Sequence, residues 1–168
     1  MSYVKPVLSE LAPTSDLMPP SYERTVRLGE GSSLWAFAST EVLRWGVKTR
    51  SGFSVELPAG NGARGGAVIT GDRWWLLAHV GPFRIREPVE ILDVVDEPQL
   101  KGFTYGTLSG HPVRGRETFL VERRPDDSVH LTIRSRTRPA PGAWRLAYPV
   151  ALLAQRFYRR RYFRALSR

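Results

Sequence analysis

Alternation of apolar and polar residues dominates the middle of this chain. Phe103, Tyr105 and Thr107 fall on one side of an extended run. Further on, Glu117, Phe119 and Val121 share a side, with Arg116, Thr118 and Leu120 opposite. Val129, Leu131 and Ile133 alternate with His130, Thr132 and Arg134, which points His130 toward solvent. The strands this pattern predicts are 22–28, 53–57, 67–70, 74–80, 85–95, 101–108, 117–122 and 129–137. Clusters of Gly, Pro, Asp and Ser separate them. The 74–80 run is apolar on one side (Trp74, Leu76, Ala78, Val80) and largely so on the other (Trp75, Leu77, His79). A strand of that kind is covered on both faces. Trp75 and Leu77 are therefore expected under a cover, either the N-terminal residues or a second subunit in a homodimer.

Two segments carry the helical period instead. After Gly29-Glu30-Gly31, residues Leu34, Ala38, Val42 and Trp45 form one stripe with Trp35 beside it, and Ser32 or Ser33 is the expected cap of a helix running to about residue 45. Residues 143–167 place Leu146, Val150, Leu153 and Phe157 on a stripe, with Ala154, Tyr158 and Tyr162 alongside. Pro149 inside this pattern kinks the helix or marks its first turn. The order is strand, helix, about six antiparallel strands, then a long helix. An antiparallel sheet needs one face covered, and the last helix is the obvious cover. The reading is a single α+β domain over 21–168: a six- to seven-stranded antiparallel sheet wrapped on a long C-terminal helix. Residues 1–20 hold four of the 13 Pro and no period, and read as an extended arm.

Composition narrows the function classes. A chain of 168 residues, 42% hydrophobic, is one domain with a core of its own. Without Cys there is no disulfide framework and no thiolate metal site. The N-terminus lacks the pattern of a signal peptide, and no run is apolar enough to span a bilayer, so the cytoplasm is the expected location. The net charge is +9, yet only Lys5, Lys48 and Lys101 among the 25 cations are Lys. An Arg-rich background of this kind follows from GC-rich coding, and nucleic acid is not an expected partner. The one dense group, Arg156, Arg159, Arg160, Arg161, Arg164 and Arg168, reads as a solvated face that complements the helix dipole. A basic docking surface is the competing reading.

Candidate chemistry is sparse. Gly60, Gly62 and Gly65 match a dinucleotide fingerprint in spacing, but a strand-like run follows where that motif needs a helix. The segment is a Gly-rich turn. His79, His111 and His130 lie on different segments without ligand spacing, so neither metal nor cofactor is implied. His111 precedes Pro112 in the stretch 109–115, which reads as a hairpin connection rather than a catalytic loop. Glu117 is the unusual residue. The alternation turns it toward the core beside Tyr105, where burial would raise its pKa unless a partner intervenes. The bland alternative puts it at the rim, paired with Arg114.

The stretch GFTYGTLSGHPVRGRETF (102–119) joins Trp45, VVDEP at 94–98, Gln155, Arg161-Tyr162 and Ala165-Leu166 in a recognisable set. The set resembles the domain-of-unknown-function family numbered nineteen-ninety, found in bacteria and plants. Arg116 stands where that family commonly has an acidic residue, which argues against two adjacent carboxylates acting together. The element order also looks like the START-like helix-grip superfamily, although this chain shows one clear helix after the first strand where that superfamily often has two short ones. The likeness implies an apolar cavity between sheet and C-terminal helix that binds a hydrophobic small molecule. Its expected lining is Phe103, Tyr105, Phe119, Leu131, Leu153 and Phe157, with Glu117 as polar anchor. Two alternatives stand beside this binding module. One is a cyclase- or hydrolase-type enzyme using Glu117 or His111 as acid/base and Tyr105 as donor. The other is a basic interaction protein acting through the Arg-rich C-terminal helix.

Overall fold

The structure, a computed structural model, describes residues 22–57, 66–80, 82–139, 142 and 144–167. The expected N-terminal arm, the Gly-rich turn at 60–65 and Arg168 lie outside the described residues. In chain order the elements are β1 (Tyr22–Glu30), α1 (Ser32–Val42), α2 (Gly46–Thr49), β2 (Phe53–Glu56), β3 (Arg73–Val80), β4 (Phe83–Asp96), β5 (Leu100–Thr107), β6 (Val113–Arg123), β7 (Ser128–Pro139) and α3 (Trp144–Ala165). The seven strands form one sheet in the order β1-β7-β6-β5-β4-β3-β2. Every pairing is antiparallel. Five hairpin neighbours follow one another, and β1 returns to pair with β7. The helices cover one face. This is the helix-grip fold.

Register explains the core. Phe103 lies opposite Phe119, Tyr105 opposite Glu117, and Leu131 opposite Val121. Phe103, Tyr105, Phe119, Val121 and Leu131, with Ile91, Val89 and Leu76, are buried on the face that the helices cover, and Glu117 is nearly so. Ala38 and Val42 of α1 and Trp45 after it pack into the same core, as their spacing predicts.

Several sequence expectations need correcting. The helix expected to reach residue 45 is two helices, with Trp45 in the left-handed region (φ 63°) between them. The N-cap of α1 is Gly31, which has no side chain to cap with, and Ser32 and Ser33 lie inside the helix. Residues 67–70 form no strand. Val68 instead buries its side chain and donates its N–H to the Leu43 carbonyl at 2.8 Å. The connection between β5 and β6 is shorter than expected, because Val113, Arg114 and Gly115 already belong to β6. Gly115 has no side chain for a steric reason: a Cβ there would sit 1.8 Å from the Arg136 carbonyl oxygen of β7. His130 does not face open solvent. It is buried between its cross-strand neighbours Arg27 and Glu122, because β7 is an inner strand flanked on both sides. Burial, and Arg124 nearby, hold its ring below the usual imidazole pKa. On β3, Leu77 is buried and Trp75 is half-buried under the Arg86 guanidinium, 4.4 Å from the ring centre.

The largest correction is the face of α3. The stripe Leu146, Val150, Leu153 and Phe157 is exposed, and the neighbouring stripe Tyr158, Tyr162, Ala165 and Leu166 is buried. Hydrophobicity alone favoured the wrong stripe. The buried one is built of tyrosines, whose hydroxyls find partners inside, which is the condition for burying them. Pro149 lies within the helix and removes one backbone donor from its first half.

Candidate functional site

A cavity of about 200 Å³ lies between the sheet and α3. Phe53, Ala78, Ile85, Val113, Ala154 and Tyr158 give it apolar walls. Four polar side chains meet in its lining: Lys48, Tyr105, Glu117 and Tyr162.

Each is delivered by a different element. Tyr105 and Glu117 are directly opposed on β5 and β6, so their side chains leave the sheet together. Tyr162 comes from the buried face of α3. Lys48 sits on the single turn of α2, whose direction depends on Trp45. A left-handed Trp is a costly conformation for a bulky residue. It is held by burial: the indole packs 4.7 Å from Phe103, 5.4 Å from Tyr105 and 5.8 Å from Trp74, centre to centre.

The bonds converge. Lys48 Nζ lies 2.8 Å from Glu117 Oε2 and donates to the Tyr162 hydroxyl at 2.7 Å. The Tyr105 hydroxyl donates to the same Oε2. Oε1 takes part in neither bond. Four rings also surround the ammonium: Tyr162 at 4.6 Å, Phe53 at 4.7 Å, Tyr105 at 5.4 Å and Phe119 at 5.6 Å. The Lys48 side chain is thus held by one carboxylate, one hydroxyl and the faces of four rings.

Electrostatics follow from this packing. Burial alone would raise the Glu117 pKa, but the Lys48 charge and the bonds from Lys48 and Tyr105 outweigh it and lower the value. The expectation of a raised carboxyl is therefore overturned, and the partner missing from that reading is Lys48. Burial, and then the Glu117 charge, push the Tyr105 and Tyr162 hydroxyls well above the usual phenol range. Both remain protonated donors near neutral pH.

A second polar pair lines the same cavity. His111 Nε2 lies 3.5 Å from Glu87 Oε2, and the Val113 N–H donates to His111 Nδ1 at 3.0 Å. Accepting that bond leaves Nδ1 without a proton, so Nε2–H faces the carboxylate. Both ring nitrogens are thus engaged in holding the connection between β5 and β6. Nearby, Gln155 Oε1 and Arg159 Nε are buried with no hydrogen-bond partner among the described residues, and both residues line the cavity. Arg159 otherwise bonds Ser135 Oγ at 2.6 Å and stacks over Tyr22, so it leaves the solvated cluster in which its spacing placed it.

Of the lining expected from sequence, Tyr105 and Glu117 reach the cavity. Phe103, Phe119 and Leu131 are buried in the core without lining it among the described residues. Leu153 and Phe157 are corrections: they lie on the exposed side of α3. Arg114 is exposed, and Glu117 pairs with Lys48 rather than with it. Lys48 and Tyr162 were missed. A signal for Lys48 was available, since a chain that uses Arg almost throughout keeps Lys at only three positions.

Among the described residues no group of His, Asp or Glu is arranged to hold a metal ion, and no helix is long and apolar enough to cross a membrane. A solved structure of the hypothetical protein jhp0584 from Helicobacter pylori superposes with a TM-score of 0.53 at 13% identity, over 88% of this chain and 86% of that one. The ginseng major latex-like protein 151 from Panax ginseng is a looser neighbour, with a TM-score of 0.45 at 14% identity over 82% of this chain and 96% of that one. In sequence, a UPF0548 protein of Deinococcus radiodurans is 34% identical over 180 aligned positions, covering 97% of this chain and 86% of the relative. Residues 9–165, which carry Lys48, Tyr105, Glu117 and Tyr162, match the model of a domain of unknown function, DUF1990, and the chain belongs to that family.

Proposed function

We propose that the cavity binds a small, mainly apolar molecule whose one polar end donates a hydrogen bond to Glu117. The observation that carries this reading is a charged carboxylate in the cavity lining beside the apolar walls of Phe53, Ala78, Ile85, Val113 and Ala154, with its bonds among the described residues both on Oε2. Gln155 Oε1, buried and unpartnered in the same lining, is a second acceptor waiting for a donor. Buried polar atoms without partners are rare enough to need an explanation, and a bound molecule supplies one. A cavity of about 150 Å³ holds benzene, so one of about 200 Å³ suits a ring with a short substituent.

The enzyme reading of the same cavity is less well supported. A general base is most effective when its pKa lies near the working pH. Lys48 moves Glu117 the other way, which makes it a good acceptor and a weak base. Lys48 Nζ is engaged by Glu117, by the Tyr162 hydroxyl and by the surrounding rings, which leaves it poorly placed to attack a bound molecule.

The test is direct. Phenol, benzyl alcohol and indole, each a ring with one donor, are titrated by heteronuclear NMR against the wild type and against Ala154→Phe, which fills the cavity. Shifts at Glu117 and Tyr162 that saturate in the wild type and vanish in the variant support the reading. Toluene, of similar size without a donor, should bind more weakly. Equal binding of toluene removes the role of Glu117. Absence of any saturable shift, together with a native mass spectrum showing no co-purifying molecule, removes the cavity reading as a whole.

A further inference from the structure

We propose that the outward face of α3 seats this protein on an anionic lipid surface. Leu146, Val150, Leu153 and Phe157 are 87%, 67%, 65% and 58% exposed, and their spacing puts them on a single line along the helix. Large apolar side chains exposed singly are ordinary, but four in one contiguous stripe are not. The same line continues toward the C-terminus into arginines: Arg160, Arg161 and Arg164 are exposed on the last two turns. Arg161 already stacks on Phe157, at 5.4 Å from the ring centre. The helix contains no Asp or Glu along its whole length.

An apolar stripe that runs into a cluster of arginines on one helix is the composition of a helix lying in the plane of a membrane interface. The apolar side chains enter the headgroup boundary and the guanidinium groups meet lipid phosphates. The charge of the whole chain, +9, has the sign that such a surface attracts. A nucleic acid would use the arginines but not the Leu and Phe stripe. A second copy offers no acidic side chain on its own α3 to meet the arginines. Shape also favours lipid, because the stripe stands on the convex side of a single helix, which a deformable interface accommodates. Val150 belongs both to this stripe and to the cavity lining, so seating α3 would bring the cavity to the lipid.

The experiment is vesicle flotation of the full chain at physiological ionic strength. The vesicles are phosphatidylcholine alone, or phosphatidylcholine with roughly one-third phosphatidylglycerol. The wild type should float with the anionic vesicles and stay behind with the neutral ones. Leu153→Ser with Phe157→Ser should weaken binding roughly tenfold or more. Arg160→Gln with Arg161→Gln and Arg164→Gln should weaken it on the order of a hundredfold. All five positions are exposed, so circular dichroism should show both variants folded. No flotation of the wild type with anionic vesicles overturns the proposal. So does undiminished flotation of the Leu153/Phe157 variant with equal loss of heparin and vesicle binding in the arginine variant, which would mark a general polyanion surface. A dimer in sedimentation equilibrium that the Leu153/Phe157 variant dissolves would assign the stripe to a second copy instead.

Discussion

Two acid–base pairs line one cavity, and they differ in how they are bonded. Lys48 and Glu117 are joined at 2.8 Å, buried, and ringed by Phe53, Tyr105, Phe119 and Tyr162. Among the described residues their bonds gather on a single carboxylate oxygen, Oε2. His111 and Glu87 are 3.5 Å apart, and the imidazole has both nitrogens in use, one of them on the backbone of Val113. The first pair is a charged network. The second is a strut that shapes a connection between strands. The reading of 109–115 as a hairpin connection agrees with that strut, and what the residue order left out is Lys48, the partner of Glu117.

Glu117→Gln is the sharpest way to test that difference. It leaves Lys48 charged and unpaired in the interior, which costs on the order of 3–5 kcal/mol. Combining it with Lys48→Met should restore much of the loss, and guanidinium unfolding of the four species gives the coupling. A cost below about 1 kcal/mol for Glu117→Gln would put the two pairs in one class.

The pH dependence separates them as well. Glu117 has a folded pKa below its unfolded value. Its contribution to stability is thus fully present above the unfolded carboxyl value, about 4.3, and is lost as pH falls through the folded value. Wild-type stability should decline more steeply below about pH 4 than that of the Lys48→Met, Glu117→Gln double variant. Parallel acid limbs in the two proteins would show that the pair is not coupled to folding.

Tyr105→Phe should come next in size. It removes a hydrogen bond to a charged acceptor, worth about 1.5–3 kcal/mol, and frees Oε2 to drift. Thermal unfolding measures the loss, and weaker binding of phenol by this variant would tie it to the cavity. His111→Ala should cost about 1 kcal/mol, the worth of one neutral bond to the Val113 N–H, and leave phenol affinity unchanged. A large loss of affinity in His111→Ala would move the anchor from the strand to the connection. Smallest of all, Leu153→Ser should change stability by no more than about 0.5 kcal/mol, whereas Leu166→Ala, on the buried side of the same helix, should cost about 2–5 kcal/mol.

Much of this architecture is legible in the residue order. Period-two alternation at 101–108, 117–122 and 129–137 places Phe103, Tyr105, Glu117, Phe119 and Leu131 on the covered face, which is where they lie. Local rules reach that far because a strand inside a sheet has only two sides. The rules fail where a choice depends on a distant neighbour. Residues 67–70 have strand-like composition, but Val68 donates to the Leu43 carbonyl beyond α1 instead of joining a strand. His130 has a polar side chain on the outer side of β7, yet neighbouring strands bury it.

What the sequence determined by itself is the helix-grip order of elements and the covered face of the sheet, with Tyr105 among the residues turned toward it. Each depends on spacing of a few residues along the chain or on one hairpin register. Tertiary structure decided which stripe of α3 turns inward, and it chose tyrosines over leucines because Lys48 and the cavity offer partners to Tyr162. It also decided the charge state of Glu117, since the partner that lowers its pKa stands 69 positions earlier in the chain (117 − 48), on a helix turned by the left-handed Trp45. An electrostatic interaction depends on distance in space. Separation along the chain carries no trace of it, so only the folded arrangement could bring that ion pair into view.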